Sequence, residues 1–205
     1  AFFRRKTHWK ALKRTSGLRA YSMFKQLLKS LALELDRRKI PYMVIGGQAV
    51  LLHGEPRLTR DIDVTLGINT EKLDQLLEII EVIQLKPLVD PHDFTLQTMV
   101  LPCESLQNHI PVDFIFSFSP YERQAMKRVR MVDMEGVNVK FASAEDLVIH
   151  KVFSGRPRDM EDVKSVLIKN PKMDTHYIRH WLNELAQATG ESFVDRFEDV
   201  LKKAS

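Results

Sequence analysis

The chain has 205 residues, of which 44% are hydrophobic and 28% charged, and its formal net charge is +4. Such proportions exclude wholesale disorder and suffice for a packed core. One cysteine, Cys103, excludes an intramolecular disulfide and a cysteine-based zinc site, and favours a reducing, cytosolic setting. No run of about 18 apolar residues is present, so no membrane span is expected, and no secretory apolar region follows the basic start.

The positive charge is uneven. Arg4, Arg5, Lys6, Lys10, Lys13, Arg14 and Arg19 fall in residues 1–20 without an acid among them; removing these seven from 31 bases leaves 24 against 27 acids, a net charge of −3. The expectation is a mildly acidic body with a basic arm over residues 1–20. Such an arm either attracts phosphate backbones or acidic surfaces, or is a solvated leader.

In chain order, Phe24, Leu27, Leu28, Leu31 and Leu35 recur at helical spacing and predict an amphipathic helix over 21–39, closed by Pro41. Tyr42–Ile45 reads as a strand, Gly46-Gly47 as a tight turn, and Gln48–His53 as the start of a helix. Asp61–Leu66 alternates and predicts a second strand. A helix over Thr70–Ile83 would have Thr70 as its N-cap. Asp90-Pro91-His92-Asp93 reads as a turn, and Thr95–Leu101 and Ile110–Phe116 as strands joined by a polar loop. Pro120–Arg128 is expected to be helical, and Val129–Asp133 and Val137–Phe141 to pair across Met134-Glu135-Gly136. Four helices complete the chain: Ser143–Phe153, capped by Ser143 with Asp146, then Asp159–Lys169, Asp174–Thr189 and Ser192–Lys203. The layout predicts a mixed α/β core over 21–141 and a helical C-terminal lobe over 142–205, with a cleft between them.

The chemistry is concentrated in the run from Gly46 to Val64. A glycine pair between a strand and a helix is often only a turn, but it also lets backbone N–H groups approach an anion at the positive end of a helix. Asp61 and Asp63 are two apart on a strand, so their carboxylates share a face and lie roughly 7 Å apart along it. They are either solvent-facing acids or a pair that converges on a hard cation such as Mg²⁺. Ile62 and Val64 favour the second reading, because they claim the core face and leave the acids to a cleft, where like charges need a cation. Asp113 stands inside the apolar run Pro111–Phe116, where a carboxylate needs a partner or a metal. Should the two strands be neighbours, three acids can hold two Mg²⁺ about 3.5–4 Å apart, an arrangement suited to in-line displacement at phosphorus.

With these residues the chain resembles the DNA polymerase beta-type nucleotidyltransferase superfamily: a Gly-Gly or Gly-Ser turn, a short helix, Asp-x-Asp, and a later strand Asp. Arg57-x-Thr59-x-Asp61-x-Asp63 is similar to the branch containing abortive-infection type nucleotidyltransferase toxins and related uncharacterised proteins. The likeness continues through Glu145–Lys151 and Gly155–Val163 and covers roughly residues 21–170. The resemblance implies a nucleotidyltransferase fold and the transfer of a nucleoside monophosphate from an NTP to an acceptor hydroxyl. It assigns Gly46 and Gly47 to the triphosphate, Asp61, Asp63 and Asp113 to Mg²⁺ or Mn²⁺, and Lys151 to the triphosphate from the helical lobe. Asp113 would also help deprotonate the acceptor. Arg57 is a structural or phosphate-facing cation and Thr59 a turn or strand-entry residue. Asp159 and Asp162 either orient a cation near the cleft or are acids favoured at a helix N-terminus. The chain departs from the pattern at Gly47, where many members carry serine, so one hydroxyl to the phosphates is missing; a backbone amide can replace it.

The acceptor implied by the toxin branch is an RNA end such as tRNA; a protein side chain or an aminoglycoside-type small molecule belongs to the same reaction class. A rival from another class is a nucleotide- or RNA-binding protein of this fold without turnover, although all three acids are present. A second is a module held by an antitoxin protein, which an exposed apolar face on the last two helices would favour. The oligomeric state is not legible. His53, His92, His109, His150, His176 and His180 form no metal-ligand spacing. Phe114, Phe116, Phe118 and Tyr121 read as core.

Overall fold

The computed structural model describes residues 16–204 other than Phe118, and the side chains of these residues except 16–20 and Ala188. Residues 1–15 of the expected basic arm, and Phe118, lie outside the described residues; Ser16–Ala20 already belong to the first helix. That helix, α1, spans Ser16–Arg37 and buries Leu28, Leu31 and Leu35 completely or nearly so. It ends in a turn in which Lys39 takes φ 57° and the Ile40 N–H returns to the Leu35 carbonyl at 2.9 Å, just ahead of Pro41.

Strand β1 (Tyr42–Val44) leads into α2 (Gly46–His53), which therefore starts on the glycine pair itself, two residues earlier than the sequence suggests. β2 (Ile62–Leu66) is followed by a 3₁₀ turn (Thr70–Lys72) and α3 (Leu73–Val82). Asn69, not Thr70, occupies the cap position of that turn, and it makes no side-chain cap bond.

The sequence reading fails between residues 85 and 99. A short edge strand, β3 (Leu85–Pro87), was not legible, and Pro91–Thr98 forms a helix, α4, where a turn and the first part of a strand were expected. The alternating Thr95–Leu101 run favours a strand locally, but the start signal is stronger: the Asp90 side chain accepts a hydrogen bond from the Asp93 N–H at 2.9 Å and Pro91 takes the first turn. Met99, at φ 60°, closes the helix, and β4 begins only at Val100, running to Ser105.

β5 (Pro111–Phe116) follows, then α5 (Pro120–Ala125), capped by Ser119 and shorter than predicted. β6 (Arg130–Met134) and β7 (Val137–Phe141) form the expected hairpin, with Glu135 and Gly136 both at positive φ, as a tight two-residue turn requires. Four helices remain: α6 (Ala144–Ser154), α7 (Pro157–Lys169), α8 (Thr175–Thr189) and α9 (Phe193–Ala204). Ser143 caps α6 through the Asp146 N–H at 3.0 Å, as its spacing predicts.

The strands form one mixed seven-stranded sheet in the order β3-β4-β5-β2-β1-β7-β6, so the fold is the α/β arrangement expected. Pairs β2–β5 and β1–β7 are parallel and the others antiparallel. One face of the central strands presents Ile62, Val64, Leu66, Val112, Phe114 and Phe116, all fully or almost fully buried in a core shared with α1 and α3. The other face carries the acids, and α2 rests there against α6 and α7. Among the described residues no helix is long and apolar enough to cross a membrane.

Candidate active site

Strand pleating puts Asp63 and Thr65 on the face opposite Ile62 and Val64. The parallel register of β2 with β5 sets Asp63 directly beside Asp113, and Asp61 stands one residue before β2. Asp61 is exposed, whereas Asp63 and Asp113 are half-buried. Burial, then Asp61, then Asp113 push the Asp63 carboxyl up to about 6, against an ordinary 3.8. Burial and then Asp61 also raise Asp113. The structure thus brings all three predicted acids within electrostatic reach of one another.

Among the described residues, no three His, Cys, Asp or Glu side chains are gathered tightly enough to hold a metal ion as they stand. The chemistry of the donor set nevertheless fits a hard divalent cation. Asp61, Asp63 and Asp113 offer only carboxylate oxygens, their mutual repulsion is not fully neutralised, and Mg²⁺ commonly takes one or two carboxylates and completes its shell with water and phosphate. These three residues could hold Mg²⁺ or Mn²⁺.

Glycine at position 46 has two reasons. Its φ is +59°, and a Cβ there would lie 1.7 Å from Asp63 Oδ2. The Gly47 N–H bonds the Asp63 carboxylate, favouring its ionised form. At Gly47 the space for a side chain is already filled: a Cβ would meet Thr59 Oγ1 at 2.2 Å. The Thr59 hydroxyl therefore stands where a serine at 47 would project, and it donates to Asp61 Oδ1 at 2.8 Å.

Lys151 is not a solvated helix residue. It is 8% exposed, and its Nζ bonds Asp159 and lies 2.9 Å from Asp162 Oδ2. Asp162 is shared, because Arg57 grips it bidentately, Nε to Oδ1 at 2.7 Å and Nη2 to Oδ2 at 2.8 Å. Burial raises the Asp162 carboxyl, but the hydrogen bonds from Arg57 and Lys151 outweigh it and hold the group below its ordinary value. The Lys151 charge also lowers Asp63. Asp159 and Asp162 thus orient both cations beside the acids. Helix α7 further pins the segment between α2 and β2: Arg158 donates to the Leu58 carbonyl at 3.2 Å, Lys169 to that of Gly54 at 3.1 Å, and Asn170 to that of His53 at 2.8 Å.

From Gly46 and Asp63 a cleft of about 480 Å³ runs between the sheet and the helices α5, α6 and α8. Lys151, Arg156 and Asp159 line it together with Thr65, Ile115, Tyr121, Leu147 and His150. The sequence reading missed Thr65, although it continues the alternation of Asp61 and Asp63, and set His150 aside for want of a ligand spacing. No sequence signal marks His150. Phe114, Phe116 and Tyr121 are buried as expected, and His176 and His180 are exposed. None of the exposed large hydrophobic residues described lies on α8 or α9, so the feature that would favour a docked antitoxin is not found there.

A mixed sheet with acids on two parallel neighbours, facing a helix that starts on two glycines, defines the nucleotidyltransferase class of fold. The chain belongs to the family described as nucleotidyltransferase of unknown function (DUF6036), whose model matches residues 20–201, and it is a nucleotidyltransferase. No curated protein matches it in sequence. Among solved structures it is similar to an antigenic nucleotidyltransferase-like protein from Paracoccidioides brasiliensis, with 18% identity, TM-score 0.53, and 87% of this chain and 91% of that one covered. It is also similar to the antibiotic-resistance factor ANT(2'')-Ia, with 16% identity, TM-score 0.55, and 87% and 96% covered. A second structure of ANT(2'')-Ia, in complex with adenylyl-2''-tobramycin, matches with 16% identity, TM-score 0.55, and 85% and 99% covered. At these identities the likeness is one of fold.

Proposed function

We propose that the chain transfers a nucleoside monophosphate from an NTP to an acceptor hydroxyl and releases pyrophosphate. The acceptor oxygen bonds to the α-phosphorus, the α–β phosphoanhydride bond breaks, and the hydroxyl proton passes to Asp113. The observation that carries this reading is the meeting of Asp61, Asp63 and Asp113 beside the amide end of α2 and the Lys151 ammonium. Gly46 and Gly47 offer N–H groups to the triphosphate, and Lys151 reaches it from α6 by exchanging one of its two carboxylate partners. Magnesium or manganese, held by the three acids, would neutralise charge at the reacting phosphoryl group.

The resemblance to the toxin branch makes an RNA end, such as tRNA, the first acceptor to test. The likeness to ANT(2'')-Ia makes a small-molecule hydroxyl the second. The experiment is transfer of label from each α-labelled NTP, with Mg²⁺, onto RNA, protein and small-molecule acceptors, with Asp61→Asn and Asp63→Asn beside the wild type. Label on one acceptor class, lost in both variants, is the expected result. Equal transfer by wild type and variants refutes the site. Nucleotide binding without any transfer supports the binding-protein rival.

A further inference from the structure

Lys151 has two carboxylate partners, and the two are not equivalent. Asp162 Oδ2 lies 2.9 Å from the Lys151 ammonium and also accepts from Arg57 Nη2 at 2.8 Å, while Arg57 Nε takes the other oxygen, Oδ1, at 2.7 Å. Asp162 therefore keeps a bidentate cation whether or not Lys151 stays. The Asp159 side chain, among the described residues, has Lys151 as its one hydrogen-bond and ion-pair partner. Of the two carboxylates, Asp162 is the one that Lys151 can give up.

Burial makes this difference matter. The Asp162 side chain is 5% exposed, so water cannot replace a cation that leaves it, and a buried charge stripped of its partner is strongly unfavourable. Without Arg57, two buried carboxylates would share one ammonium and hold it. With Arg57, two cations face two carboxylates, and Lys151 can turn towards a triphosphate while every carboxylate stays paired. The Arg57 guanidinium has little left for a ligand of its own: Nε and Nη2 are spent on Asp162, and Nη1 leans on the Leu58 carbonyl at 3.4 Å. That third nitrogen lies 3.6 Å from where a Cβ on Gly47 would stand, so direct contact of Arg57 with a phosphate is the rival to be separated.

We infer that Arg57 is a positioning residue that releases Lys151: it holds Asp162 so that the ammonium can leave this carboxylate for the triphosphate while keeping Asp159. This rests on the nucleotidyl-transfer reading and adds how a buried lysine becomes available to the substrate. It also gives a reason for one aspartate on α7 to be shared by cations from two distant segments.

The test is a double-mutant cycle read by calorimetry on the full chain with Mg²⁺. The probe is whichever of inorganic tripolyphosphate, ATP, GTP, CTP and UTP the wild type binds most tightly. Wild type, Arg57→Gln, Asp162→Asn and the double variant are compared, with thermal melting to confirm that each is folded. Arg57→Gln alone should weaken binding by about ten- to hundredfold, because Asp162 then claims the ammonium. Asp162→Asn should bind within about threefold of wild type or more tightly, and the double variant within about threefold of Asp162→Asn, because the hold on Lys151 is gone. An Arg57→Gln variant that binds as wild type does overturns the inference. So does a loss from Arg57→Gln that is as large in the Asp162→Asn background as in the wild type, the result expected if Arg57 touches phosphate or only braces its segment. Should Arg57→Gln alone not fold, the comparison of the double variant with Asp162→Asn still decides between these outcomes. A wild type that binds none of the five probes overturns the nucleotidyl-transfer reading and this inference with it.

Discussion

Replacing Asp63 by asparagine should stabilise the metal-free protein while abolishing transfer. The wild-type carboxyl is pushed up to about 6 from 3.8, by burial first and then by Asp61 and Asp113. Between those values the folded chain holds a proton that the unfolded chain has released, so stability falls as pH rises from about 4 to about 6 and stays low above it. The full gap corresponds to about 3 kcal/mol. Asparagine keeps an oxygen for the Gly47 N–H and carries no charge. The variant should therefore be more stable than wild type by about 2–3 kcal/mol at pH 8, a rise in melting temperature of roughly 4–10 °C for a domain of this size. The difference should shrink to about 0.5 kcal/mol by pH 4 and close near pH 3, where Asp63 is protonated in the folded and the unfolded wild type alike. Melting curves in a chelator from pH 4 to 8 measure this directly. With Mg²⁺ added the gap should narrow or reverse, because a cation on the acids stabilises only the wild type. A variant less stable than wild type at pH 8, or a difference that is flat across pH, refutes the account of strained like charges.

Lys151→Met removes the ammonium between Asp159 and Asp162, leaving Asp159 without its buried partner while Arg57 still holds Asp162. The expected loss is about 3–5 kcal/mol in denaturant melts, together with loss of NTP binding; unchanged stability would show that the network carries no load. At the glycine turn, Gly47→Ser alone should impair activity because its Cβ meets Thr59. Adding Thr59→Gly should restore much of it by returning a hydroxyl to the same space. If Gly47→Ser alone is fully active, Thr59 does not fill the serine position.

Much of this molecule was legible because its signals are local and strong. The helical spacing of Leu28, Leu31 and Leu35, the Ser143–Asp146 cap, and Asp-x-Asp between apolar neighbours each survive without tertiary context. The stretch at 85–99 was misread because two local signals conflict there: the Thr95–Leu101 alternation favours a strand, and the Asp90-Pro91 start favours a helix. β3 escaped because three residues at a sheet edge, ending on Pro87, leave no periodicity to detect. The pairing of Arg57 with Asp162, 105 positions away, and the place of His150 in the cleft follow from packing alone, which no window of sequence encodes.

The grip of α7 on the segment between α2 and β2 has a consequence for how this protein can be divided. All three acids lie before residue 142, so a fragment ending at Phe141 would contain every proposed metal ligand. It would nevertheless lack Asp162 for Arg57, Arg158 for the Leu58 carbonyl, and Lys169 and Asn170 for the carbonyls of Gly54 and His53. The approach to Asp61 would then have no outer wall to follow. The C-terminal helices act less as a lid over a finished site than as the mould in which one of its acids is set. Any recombination, insertion or shortening that parts the two halves of the chain removes the shape of the site while leaving its chemistry written in the sequence.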